Sequence, residues 1–216
     1  MMKTLMNKIM EGRQYRDIPV DKIQHRAEGD DLIVDGYATT FEQPYTLWSE
    51  PDWEVREVIA ANAFDDCDMT DVIMQYNHEG RVFARVTNNT LALNPDDFGL
   101  ATRARLNGTQ LGREIWEEVD GGYSTKMSMG FVVAEDERTY TEDYETGKIT
   151  VLRRITKIKK LYDVSIVSLP ANDATSISAR SFSEGVIAEI REEIAERQRR
   201  DRQKQRIRIL TEVNKK

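Results

Sequence analysis

Short runs of alternating apolar and polar residues recur along the middle of the chain. Leu32-Ile33-Val34 follows the turn signal Gly29-Asp30-Asp31 and runs on to Gly36-Tyr37-Ala38, which predicts a first hairpin. Residues 54–60 alternate again, and Val72-Ile73-Met74-Gln75-Tyr76 is a compact apolar strand ending at Asn77-His78-Glu79-Gly80. Residues 82–87, 91–94 and 100–106 continue the series, separated by Asn88-Asn89 and by Asp96-Asp97-Phe98-Gly99. Between them, residues 42–53 carry two prolines and two tryptophans without a period, which predicts an ordered loop.

One helix interrupts the strands. Leu111, Ile115, Trp116 and Val119 recur at helical spacing, and Gly121-Gly122 supplies the stop that helix ends favour. A strand over 125–133 follows, then a polar hairpin arm over 135–148 and a strand-rich stretch over 149–169 that closes at Pro170-Ala171-Asn172. Many short strands with few helices predict a mainly β, α+β fold built as a closed or nearly closed barrel with flanking helices. From Ser181 the style changes: Ser181 and Glu184 have capping-box spacing, and Ile187, Ile190 and Ile194 form a narrow apolar stripe before a nearly all-charged run. The expected organisation is an N-terminal arm over 1–17, a barrel domain over 18–180 and a charged helical tail over 181–216.

Charge sharpens this division. The tail carries ten Lys and Arg against seven Asp and Glu, so of the net charge of −7 the rest of the chain holds −10. An acidic body argues against nucleic-acid binding, which needs clustered cations, while the basic tail leaves nucleic acid or an assembly partner open. No secretory signal or membrane span is expected. The single cysteine, Cys67, excludes an intrachain disulfide, and its neighbours Asp65, Asp66, Asp68 and Asp71 are expected to raise its pKa and keep it inert. No cofactor or metal is expected.

Three residues carry candidate chemistry. In TKMSMGFVV (125–133), Met127, Met129, Phe131 and Val133 share one face, and the other holds Lys126, Ser128, Gly130 and Val132. A serine nucleophile needs an unobstructed approach, and Gly130 two residues on offers that clearance; a small residue under a closely packed element is the alternative. His78 stands where an apolar strand meets a turn, a site suited to proton transfer or to a structural role. Asp163 is a lone carboxylate within the apolar run 161–170, where it needs either an imidazole or a cation such as Lys157, Lys159 or Lys160. The second histidine, His25, lies in a charged segment and is expected to be solvated.

At these residues the sequence resembles the prohead (procapsid maturation) proteases of tailed bacteriophages. The resemblance rests on Gly36-Tyr37-Ala38 with Phe41, Asn62-Ala63-Phe64, Asn77-His78, Ser128-Met129-Gly130-Phe131, and Asp163-Val164-Ser165 with Pro170-Ala171-Asn172, in that order. It implies His78 as general base, Ser128 as nucleophile and Asp163 as third member. It also implies kinship with the herpesvirus capsid assembly proteases, whose barrel is surrounded by helices and whose third member is a second histidine. Asn62 stands where the family has glycine, and Asp163 where it commonly has glutamate. Paired arginines for an oxyanion site have no evident counterpart, so the oxyanion hole is unassigned. The implied substrates are the major capsid protein and scaffold segments, together with the chain's own arms, inside an assembling procapsid in the host cytoplasm; a homo-oligomer is left open. The rival expectation is a non-enzymatic capsid or scaffold component that keeps the same barrel and docks through its tail.

Overall fold

A computed structural model describes residues 12–17, 23–168 and 177–213. In chain order the elements are β1 (Gln14–Asp17), β2 (Gln24–Glu28), β3 (Asp31–Thr40), β4 (Tyr45–Ser49), β5 (Trp53–Ile59), β6 (Ile73–Tyr76), β7 (Glu79–Arg85), β8 (Leu91–Pro95) and β9 (Gly99–Arg105). Helix α1 (Gln110–Asp120), the long strands β10 (Lys126–Glu142) and β11 (Ile149–Val167), and helix α2 (Ile177–Val213) complete them. The fold is mainly β, as the alternation predicts.

The strands form two sheets. One is antiparallel in the order β2-β3-β9-β8, and the other runs β1-β10-β11-β5-β4 with β6 and β7 branching from β11. Strand β11 pairs in parallel with β5 along Ile149 to Ile155, then with β6 along Asp163 to Ile166. The second sheet therefore forks instead of closing. Neither sheet closes on itself among the described residues, so the mainly β fold expected of 18–180 is present and its closure into a barrel is not seen there. Their facing sides share one core: Val34, Leu100 and Ala104 from the first, Met127, Met129, Phe131, Val164 and Ile166 from the second, and Ile115 and Val119 from α1. Each such large apolar side chain taken out of water contributes about 1.5–3 kcal/mol.

Local chemistry explains the boundaries. Thr109 caps α1, its hydroxyl accepting from the Gly112 N–H at 2.9 Å. Residues 42–53, expected as a loop, contain β4, because Tyr45 turns inward and its hydroxyl donates to the buried Glu57. Helix α2 spans Ile177–Val213, and the side chains of Ser181 and Glu184, expected as a capping box, lie outside the described residues. The chain divides into two compact units at 182/183, and in the second Ile207, Ile209 and Leu210 are exposed on the helix. Among the described residues no helix is long and apolar enough to cross a membrane.

The end of the expected arm departs from an exposed segment. Residues 14–17 form β1, an antiparallel partner of β10, with Tyr15 and Arg16 both buried. Residues 1–11, which make up most of that arm, and Pro170-Ala171-Asn172 lie outside the described residues.

Candidate active site

Pairing across the second sheet sets out two rows on the face turned away from the core. Tyr15 of β1, Gly130 of β10 and Asp163 of β11 make one row, and Asp17, Ser128 and Ser165 make the next. Met127, Met129 and Phe131 occupy the opposite, core side of β10, as the alternation predicts.

A bulge decides where Asp163 points. Phe131 pairs with Leu161 and Gly130 with Asp163, leaving Tyr162 as an extra residue between them. In an unbroken strand Leu161 and Asp163 would share a face. The extra residue lets Leu161 enter the core while Asp163 joins Ser128 on the other side.

His78 arrives from a turn. Tyr76 pairs with Glu79, so Asn77 and His78 form a two-residue hairpin loop, and both have positive φ, 50° and 60°. These are the angles a type I′ turn requires; asparagine and histidine tolerate them better than most residues, at a strain of order 1 kcal/mol. Hydrogen bonds hold the loop to the end of β11. The Asn77 N–H donates to the Ile166 carbonyl at 3.0 Å, the Ser168 N–H to Asn77 Oδ1 at 3.2 Å, and the His78 N–H to Ser165 Oγ at 3.2 Å.

The imidazole then lies between the alcohol and the acid. His78 Nε2 is 2.6 Å from Ser128 Oγ, and Nδ1 is hydrogen-bonded to Asp163 Oδ1. Ser165 Oγ donates to the same carboxylate oxygen at 3.0 Å. Ser128 is 0% exposed and Asp163 1%, so the alcohol and the acid of the arrangement are both buried. The structure thus brings together all three candidates. Of the cations offered as alternatives for Asp163, Lys157 pairs with Asp66 and Lys160 with Asp68, each at 2.7 Å. His25 is 2.8 Å from Asp120 at the end of α1, and Trp116 meets its ring edge-on.

Two features were hidden in the sequence. Ser165 falls within the Asp163-Val164-Ser165 motif, but only the register shows it reaching both His78 and Asp163. Gly130 serves a purpose other than substrate clearance. A Cβ there would stand 2.3 Å from Asp163 Oδ2 and 2.7 Å from Tyr15 Cε1. The bare face is a slot for those two side chains.

Two other titratable groups are explained by their surroundings. The Cys67 thiol is pushed up to about 11 chiefly by burial, with Asp68 adding a smaller push, so it is inert for a different main reason than its acidic neighbours. Burial alone would raise the Glu57 carboxyl, but the guanidiniums of Arg16 and Arg153 and the hydrogen bonds from Arg16 and Tyr45 outweigh it and hold Glu57 at about 2. Among the described residues no group of three or more His, Cys, Asp and Glu side chains is placed to hold a metal ion.

No curated protein matches the chain. Among solved structures, the capsid assembly protease gp21 of bacteriophage T4 is similar at 12% identity and a TM-score of 0.40, over 73% of this chain and 98% of that one. The model of the caudovirus prohead serine protease family matches residues 19–188, a span that includes His78, Ser128 and Asp163, and the chain belongs to that family.

Proposed function

We propose that this chain is a capsid-maturation serine endopeptidase in which Ser128 is the nucleophile, His78 the general base and Asp163 the residue that orients the base. The observation that carries this is the His78 imidazole, hydrogen-bonded to Ser128 Oγ on one side and to Asp163 on the other. As Ser128 Oγ attacks a peptide carbonyl, His78 Nε2 takes its proton, and Asp163 stabilises the imidazolium that forms. His78 then returns the proton to the leaving amine, and water, deprotonated by the same ring, releases the acyl group from Ser128. Ser165 steadies the acid through its hydroxyl and the hairpin loop through the His78 N–H.

The substrates in this proposal are capsid-protein extensions and scaffold segments inside the assembling procapsid, with self-cleavage in residues that precede β1 or in the charged tail. The basic tail is the part suited to docking a scaffold. Co-expression with the capsid precursor tests this: shell-protein cleavage seen with the native chain disappears with Ser128→Ala. Cleavage that continues unaltered would favour a non-enzymatic scaffold component.

A further inference from the structure

We infer that Tyr15, supplied by the N-terminal strand, is a positioning residue that fixes the His78 ring for proton transfer, an inference that rests on the peptidase proposal above. The Tyr15 ring meets the His78 ring edge-on, with centroids 4.4 Å apart and planes at 65°. It is 4% exposed and seated against Gly130, where any Cβ would stand 2.7 Å from its Cε1. The hydrogen bond from Nδ1 to Asp163 Oδ1 holds one edge of the imidazole, and a swing about that contact would carry Nε2 away from Ser128 Oγ. A flat ring packed against it removes that freedom.

The rest of β1 holds Tyr15 in place. Pairing sets Tyr15 opposite Gly130 and Asp17 opposite Ser128. The Arg13 guanidinium lies 3.6 Å over the ring of Tyr162, the bulged residue beside Asp163. Arg16 turns to the other side of the strand and donates to the buried Glu57 at 2.5 and 3.1 Å. Residues 13–17 therefore belong to the site, and self-removal of the leading arm in an active molecule stops before Arg13.

The test is the rate at which a fluorophosphonate labels the full-length chain, resolved into its maximal rate and its half-saturating concentration. Tyr15→Ala lowers the maximal rate about 100-fold, the cost of a misplaced reacting group, with the half-saturating concentration unchanged. Tyr15→Phe restores most of the rate because it restores the ring. Tyr15→Leu, which fills the space without an aromatic ring, stays slow even if the alanine variant fails to fold. Labelling of a folded Tyr15→Leu at the native rate overturns the inference and leaves the peptidase proposal intact. Faster labelling also overturns it, by making Tyr15 a cover over the site. A native chain that labels no faster than Ser128→Ala removes both.

Discussion

Two buried polar clusters meet at β1, entered by adjacent residues. Arg16 joins Glu57, Arg153, Tyr45 and Asp136, where two guanidiniums face two carboxylates through contacts that include Arg153 to Glu57 at 2.5 Å and to Asp136 at 2.6 Å. Tyr15 joins His78, Ser128, Asp163 and Ser165. The first cluster pairs two guanidiniums with two carboxylates and holds no imidazole. In the second, a ring that can gain and lose a proton lies between an acid and an alcohol. Both clusters are built on a buried carboxylate, and only the second sets an imidazole against it.

Breaking the second cluster should affect turnover, and breaking the first should affect stability. The largest effect is expected from Asp163→Asn, which leaves the shape but favours the wrong imidazole tautomer. Peptidase turnover falls by about 10⁴-fold while the circular dichroism spectrum is kept. Near-native turnover with a lowered melting point would instead mark Asp163 as a stability residue.

Glu57→Gln is next, and it reverses the pattern. It leaves buried guanidiniums without their carboxylate and is expected to cost about 3–5 kcal/mol in denaturant unfolding, with activity per folded molecule largely retained. A loss of activity in molecules that remain as stable as the native chain would erase the distinction between the clusters. Acid supplies a milder version of the same change. Glu57 has its folded pKa held down near 2, against 4.5 for the free group. Its contribution to stability, about 3 kcal/mol, is complete above pH 4.5 and is lost as pH falls from there towards 2. Acid titration of native and Glu57→Gln chains should show that loss in the native chain alone.

Gly130→Ala sharpens the comparison from the slot itself. The added methyl would overlap both Asp163 and Tyr15, so about 100-fold of activity is lost through displaced partners, even though alanine is easily accommodated in a strand. Activity within twofold of native would show that the slot has slack. The smallest effect belongs to Ser165→Ala, which removes one donor to Asp163 and leaves the His78 N–H without that acceptor. About 1–2 kcal/mol of lost hydrogen bonding corresponds to roughly tenfold in kcat, measured with KM to separate it from substrate binding.

What could be read in the sequence follows from where the information sits. Ser128 and its bare face were legible because strand alternation is local, and His78 because a turn signal follows an apolar strand. Asp163 was legible as an anomaly, but its direction was not, since a bulge at Tyr162 breaks the very period by which faces are assigned. Tyr15 was hidden because its partners lie 63 to 148 residues away and residues 1–17 read as a mixed, charged arm. Closure into a barrel was not legible, because a count of strands does not say whether β11 keeps one neighbour or exchanges β5 for β6. Likewise β4 was masked by the prolines of residues 42–53, while Tyr45 found its partner in Glu57 on the next strand.

The most direct measurement is peptide mapping by mass spectrometry after treatment with a fluorophosphonate. The bridging role of His78 predicts a single adduct on Ser128 in the native chain and none in His78→Ala. An adduct on another serine, or undiminished modification of Ser128 without the imidazole, would contradict it.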